Sequence, residues 1–307
     1  MKSATLPKPL TSPLQAGLDA AAKSYAGAPG MPQVDFTAPV GEPALAAPDS
    51  VSWRVFKNPI ALYIGGITAV LLELAEPRVR SGVWDHTTFK TDPLPRMKRT
   101  GLAAMMTVYG PRSAAEKMIA GVGRMHGRVS GRTPAGVAYR ADDPELLDWV
   151  QATASFGFMQ AYHRFVAPLS DADRDRFYAE ARPAAALYGA TGAPASEAEL
   201  ETQFQAMRPK LERSEIVFEF LDIMRRTAAL PGPLRLLQPV LMRAAIDLLP
   251  GWTRDILGLG PDYGLKPWQA ALVRMAGRAS DRLTIKAAPP AQASVRMGLS
   301  PEYLYRP

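Results

Sequence analysis

An all-α fold is predicted by three features of this 307-residue chain. Apolar residues recur at helical spacing through most of residues 49–286. Helix-start signals punctuate that pattern, with Asp92-Pro93 and Asp143-Pro144 each placing a capping residue before Pro at the first helical position. Only Gly136 to Tyr139 reads as extended, beside the Arg132–Gly136 turn. The chain divides into an arm (1–48), a helical domain (49–286) and a tail (287–307).

The arm is rich in Pro, Ala and Gly, and one short helix is expected near Ala16 to Tyr25. Such an arm suits a contact between copies in a homo-oligomer. Ile60 to Leu72 is the longest apolar run and contains Gly65, Gly66 and Thr68. It is too short for a membrane span and reads as a core helix, so no integral span is expected. The helix opened at Asp92-Pro93 carries Arg96, Arg99 and Thr100 on one face and stops at Gly110-Pro111. Ser113-Ala-Ala-Glu116 has the form of a capping box. The helix behind it carries an apolar stripe of Met118, Ile119, Val122, Met125 and Val129, and His126 falls inside that stripe. Further helices are expected from Asp143-Pro144 to about Val166, from Ser170, and at about 197–207, 214–227, 233–249 and 267–282. The tail is again Pro- and Ala-containing and ends in the Tyr303/Tyr305 pair.

Composition excludes several chemistries. The chain has no Cys, which removes disulfides, Cys-ligated zinc, iron–sulfur clusters and thiolate catalysis. This suits a reducing compartment, and the Lys2, Pro7, Lys8, Pro9 start lacks the apolar stretch of a secretory signal, so a cytoplasmic protein is expected. The net charge of +7 is spread along the chain without a long Lys/Arg block. No nucleic-acid motif is present, and no nucleic-acid partner is expected. Walker, Rossmann, G-x-S-x-G and H-E-x-x-H patterns are absent.

Few side chains remain for metal chemistry, because the chain holds three histidines: His86, His126 and His163. His126 on an apolar face reads either as a core histidine or as an axial haem ligand, with Met118, Val122 and Met125 flanking a porphyrin. Arg96 and Arg99 stand in the first turns of their helix, where the dipole disfavours cations, so anionic partners are expected. Thr100 is placed to donate to an oxygen species or to its own helix carbonyl. Glu73 and Glu76 interrupt an apolar helix. Each is expected either to be buried with a raised pKa or to pair with an arginine, and each is a candidate general base. Asp85 and His86 are adjacent, in position for an Asp–His pair or for capping. His163 reads as a helix C-terminal cation without chemistry.

With those residues in view, the chain resembles the MpaB/latex-clearing-protein (rubber oxygenase) catalytic domain family. The resemblance runs from Trp53-Arg-Val-Phe-Lys-Asn-Pro59 through Leu74-Ala-Glu-Pro77, Gly82-Val-Trp-Asp-His86 and Asp92-Pro-Leu-Pro-Arg96-x-x-Arg99-Thr100. It continues through His126-x-x-Val129-x-Gly131, Tyr139-x-Ala-x-Asp-Pro144, Leu147-x-Trp149-Val150 and Pro250-Gly-Trp252-x-Arg254, covering roughly residues 50 to 285. It implies a globin-related helical fold holding haem b. It also implies His126 as the proximal iron ligand, with Arg96, Arg99 and Thr100 on the distal side. Glu73, Glu76 and Asp85 are the nearby candidates for a base. The implied reaction is oxidative cleavage or oxygenation of a small apolar substrate, an alkene or isoprenoid, with dioxygen. Two positions depart from the family. Arg99 stands where the rubber-cleaving branch has Lys, and a guanidinium stays protonated, so it is not expected to bind iron. Gln151 stands where relatives often have His. The alternative reading is a non-catalytic protein that binds haem or another hydrophobic ligand on the same helical shell.

Overall fold

The computed structural model describes Asp19, residues 34–230 and residues 232–306. Thirteen α-helices occur among the described residues. In chain order they are α1 Val51–Phe56, α2 Pro59–Ala75, α3 Pro77–His86, α4 Pro93–Tyr109 and α5 Arg112–His126, then α6 Pro144–Phe165, α7 Asp171–Leu187 and α8 Glu197–Met207. They continue with α9 Glu215–Arg226, α10 Gln238–Leu248, α11 Gly251–Leu257, α12 Pro267–Ser280 and α13 Pro289–Arg296. Two short strands, β1 Ser130–Arg132 and β2 Ala138–Arg140, form an antiparallel hairpin in which Gly131 faces Tyr139. The expected all-α class is observed. The short helix expected near Ala16 to Tyr25 lies outside the described residues except at Asp19.

The core is built on the crossing of α2 and α6, the most extensive helix pair in the molecule. Glycine sets how close they come. A Cβ on Gly65 would lie 2.7 Å from both the Gly157 carbonyl oxygen and the Phe158 Cα. The run Ile60 to Leu72, expected as a core helix, is one: Ile64, Leu71 and Leu72 are fully buried. Within it the Thr68 hydroxyl lies 3.0 Å from the Ala245 carbonyl of α10 and is met there, whereas the Tyr63 hydroxyl is buried without a hydrogen-bond partner among the described residues. Among the described residues no single helix is long and apolar enough to cross a membrane, and α2 and α3 reach that length jointly only across a 110° bend.

Local chemistry explains most boundaries. Asn58 caps α2 by accepting from the Ile60 and Ala61 amides, and Glu76 caps α3 by accepting from Val79. Asp143, Ser170, Ser196 and Ser214 cap α6, α7, α8 and α9. Three expectations are corrected. The capping box at Ser113 is not formed; α5 begins at Arg112, and the Ser113 amide is met instead by Glu42 Oε1 at 2.6 Å. The carboxylate at this helix start thus comes from a distant segment. The single helix expected at 233–249 is a 3₁₀ segment, Gly232–Leu237, followed by α10, because Pro239 fits only at the first turn of a new helix. Finally, α13 forms within the tail, where composition announced no helix.

The C-terminal end of α4 is firmly held. Trp53 Nε1 donates to the Val108 carbonyl at 3.0 Å, and Tyr109 OH donates to the Trp53 carbonyl at 2.7 Å. The other end is not. Within α4 the buried residues are Met106, Val108 and Tyr109, and the turns carrying Arg96, Arg99 and Thr100 pack loosely against the rest.

Candidate active site

Glu73 on α2 and His126 on α5 both lie within electrostatic reach of Arg96 on α4. Glu73 lies near the end of the apolar α2, so its carboxyl is drawn into a poorly hydrated setting. Desolvation pushes its pKa up to about 7, and the charge of Arg96 acts in the opposite direction. Arg96 is half-buried. Desolvation lowers its pKa, Glu73 raises it and the like charge of Arg99 lowers it again. His126 is also half-buried, its pKa lowered first by desolvation and then by Arg96, against a weaker opposing effect of Asp142. Arg96 is therefore the shared neighbour of an acid of near-neutral pKa and an imidazole that is neutral at pH 7.

Arg99 and Thr100 are exposed on the next turn of α4. Thr100 Oγ1 donates to the Arg96 carbonyl at 3.1 Å and also meets Arg96 Nη1. Glu73 is the carboxylate whose charge acts on Arg96, but the two form no ion pair, so the direct anionic partner expected for Arg96 is not found among the described residues. Arg99 forms no ion pair among the described residues, which leaves positive charge in excess of the single carboxylate.

The stripe on α5 is not the buried face that its spacing suggests. Ala115 and Ile119 are buried, Met118, Val122 and His126 are half-buried, and Met125 is 57% exposed. The outer half of α5 has little packed over it, so its apolar residues form a half-exposed apolar face beside His126. No hydrogen bond to the His126 ring occurs among the described residues, so the histidine is not held as a satisfied core residue. One neutral imidazole on an apolar wall, faced by guanidinium groups, can supply a single ligand to a metal and a cationic rim for an anionic group.

The remaining candidates lie elsewhere or are otherwise engaged. Glu76 is 2% exposed, with Oε2 accepting from the Val79 amide at 2.8 Å and Oε1 paired with Arg78 at 2.7 Å, so both oxygens hold the α2–α3 corner. Asp85 is exposed, and the Asp85–His86 pair is not formed. His86 Nε2 instead meets the Tyr139 hydroxyl at 3.1 Å. Gln151 Nε2 donates to Ser155 Oγ at 3.1 Å, along its own helix. His163, expected as a helix-end cation, accepts the Leu169 amide through Nδ1 at 2.9 Å, with its pKa lowered by desolvation and Arg174. It is a neutral backbone acceptor, not a cation. Asp142, beside His126, carries no signal in the sequence; the hairpin brings it there, and its carboxylate pairs with Arg140 at 2.8 Å.

Uncharacterized proteins of Mycobacterium bovis and Mycobacterium tuberculosis are each 29% identical to the chain over 117 residues, 37% of this chain. The chain spans just under half, 46%, of the length of these relatives. No solved structure matches. The model of one family, described as "ER-bound oxygenase mpaB/B'/Rubber oxygenase, catalytic domain", matches residues 53–282 and so takes in α2, α4 and α5 with the whole Glu73–Arg96–His126 grouping. The chain belongs to the MpaB/rubber oxygenase catalytic domain family.

Proposed function

We propose that this protein is a haem b-dependent oxygenase acting with dioxygen on a small apolar substrate, an alkene or isoprenoid, in the cytoplasm. The observation that carries the reading is that Glu73 and His126 both lie within electrostatic reach of Arg96, beside the half-exposed apolar face of α5. Family membership supports an oxygenase. The donor set fits haem. His126 offers one neutral nitrogen with no competing hydrogen bond, Val122, Met118 and Met125 offer an apolar wall, and Arg96 and Arg99 offer charge to propionates. Haem, when bound, supplies the oxygen chemistry.

The chain's own residues do the rest. Glu73, with a pKa of about 7, can hold or release a proton at its carboxyl near neutral pH, which suits a general acid or base. Arg96 keeps that pKa from rising further by favouring the carboxylate. Arg99 would offer positive charge to an anionic group held in the site, while Thr100 holds Arg96, its hydroxyl donating to the Arg96 carbonyl. Glu76 caps a helix and Asp85 faces solvent, so Glu73 is assigned the proton-handling role. One observation favours the second reading, a non-catalytic haem or hydrophobic-ligand carrier: the Thr100 hydroxyl is already engaged by Arg96.

The test is spectroscopic, then kinetic. The full chain, produced with haem supplied, should show a Soret band at near-stoichiometric haem, and His126→Ala should lose or shift it. A colourless wild-type protein would sink the proposal. Oxygen consumption with a panel of alkenes and isoprenoids then decides between enzyme and carrier: uptake lost in Glu73→Gln supports the enzyme, and none in the haem-loaded wild type supports the carrier.

A further inference from the structure

The outer face of α12 sets exposed apolar side chains among cations. Its inward positions, Gln269, Val273 and Gly277, are buried at four-residue spacing. Gly277 allows close approach to the core: a Cβ there would stand 2.5 Å from the Phe165 carbonyl oxygen. The opposite side carries Trp268, Ala271, Met275, Ala279 and, just past the helix, Leu283. Trp268 is 62% exposed and Met275 63%. Cations flank this stripe throughout: Lys266, Arg274, Arg278, Arg282 and Lys286. Between Lys266 and Lys286 the single acidic residue is Asp281. It turns inward, where Lys57 meets it at 3.2 Å and Asn58 at 3.2 Å. Among the described residues Arg274, Arg278 and Arg282 form no ion pair.

We infer that α12 is a membrane-surface helix, which lays Trp268, Met275 and Leu283 into the interface of an anionic bilayer while its arginines meet lipid phosphates. A merely solubilising face needs no exposed Trp and Met in register along it. A polyanion such as nucleic acid would meet the charges and gain little from the apolar stripe between them. Trp placed at the level of lipid headgroups, an apolar stripe and a cationic border are together the signature of a helix lying in the interface plane. The charge complementarity selects anionic lipid over neutral lipid. The inference stands apart from the haem reading, because α12 contributes none of the residues Glu73, Arg96 and His126.

The test uses the full chain with vesicles of phosphatidylcholine alone and with about one third phosphatidylglycerol added. Sedimentation should carry the protein down with the anionic vesicles and much less with the neutral ones. Trp268 is the most exposed of the five tryptophans, so a blue shift of the emission on binding should vanish in Trp268→Phe. Each arginine near an anionic surface changes partitioning about fivefold, so Arg278→Ala/Arg282→Ala together should weaken binding roughly twenty-fivefold. The substitutions lie on an exposed face, and an unchanged thermal transition checks that the fold is intact. The inference is overturned by any of three results: no vesicle binding, binding indifferent to these variants, or equal binding to heparin with no shift in tryptophan emission. Self-association that consumes the same face, read by sedimentation velocity of wild type against Trp268→Ala, would also overturn it.

Discussion

At the scale of single residues, the proton balance of the candidate site is set by Glu73. Its folded pKa of about 7 lies above that of an unfolded glutamate near 4.3. Between those values the folded state binds the extra proton, so stability falls as pH rises through the window and is highest below it. Glu73→Gln should therefore remove this slope and leave the protein more stable at pH 8 by about 3–4 kcal/mol. Urea unfolding at pH 5 and pH 8 checks this, and equal slopes in the two proteins would refute it. Arg96→Met should move Glu73 further up, because the one cation favouring its carboxylate is gone. A carboxyl-carbon NMR titration reads that directly. His126 works in the opposite sense. Its folded pKa is lowered, so it is neutral at pH 7, and its ability to bind a metal should be lost as pH falls through that depressed value. Much of this was legible in the sequence. A carboxylate inside an apolar run and arginines at the wrong end of a helix dipole both announce a missing partner. That the two lie within electrostatic reach of one another was not legible, because α2 and α4 meet only through the fold, and the exposure of Met125 depends on what α5 lacks above it.

At the scale of elements, two glycines decide how α2 and α6 cross. Gly65→Ala would drive a methyl to within 2.7 Å of the Gly157 carbonyl and the Phe158 Cα, both backbone atoms that cannot swing away. Such overpacking costs about 3 kcal/mol or more. The adjacent Gly66 is a built-in control: its Cβ would meet Phe158 Cε1 at 3.9 Å, an ordinary contact. Gly66→Ala should therefore be neutral or stabilise by up to about 1 kcal/mol through helix propensity alone. Thermal unfolding of the two variants separates close packing from simple loss of glycine, and equal transitions would refute the role given to Gly65. Element boundaries were readable where the signal is local, as at Asp143-Pro144 and Ser170. They failed where the chain supplies a partner from afar: Glu42 takes over the start of α5, and Ser113, which has the local form of a cap, lies inside the helix.

At the scale of the whole molecule, residues on both sides of the family match close over the same end of the helical core. The Arg296 guanidinium is fully buried and meets no carboxylate. It donates instead to three carbonyls: Nε to Glu42 at 2.9 Å, Nη1 to Phe36 at 2.8 Å and Nη2 to Tyr109 at 2.7 Å. One side chain thus joins the segment before α1, the C-terminal end of α4 and α13. The Gly41 amide completes the clasp by donating to the Arg296 carbonyl at 2.8 Å. Nearby, the Lys57 ammonium donates to the Leu304 carbonyl at 2.6 Å and lies over the Tyr305 ring, which fastens the last residues to the α1–α2 junction. A cation held only by carbonyl dipoles is costly to desolvate, and each of the three carbonyls would be left unmet without it. Arg296→Met should then lower stability by about 3–5 kcal/mol, more than a loss of packing alone. The damage should also be directional. Because the same clasp holds the Tyr109 end of α4 against Trp53, loosening it should open residues 36–44 to limited proteolysis and raise amide exchange along α4, while α9, remote from the clasp, keeps its protection. Uniform loss of protection across the molecule would show instead that Arg296 supports the fold as a whole, and that the two flanking segments are not a separate closure over the end that carries α4.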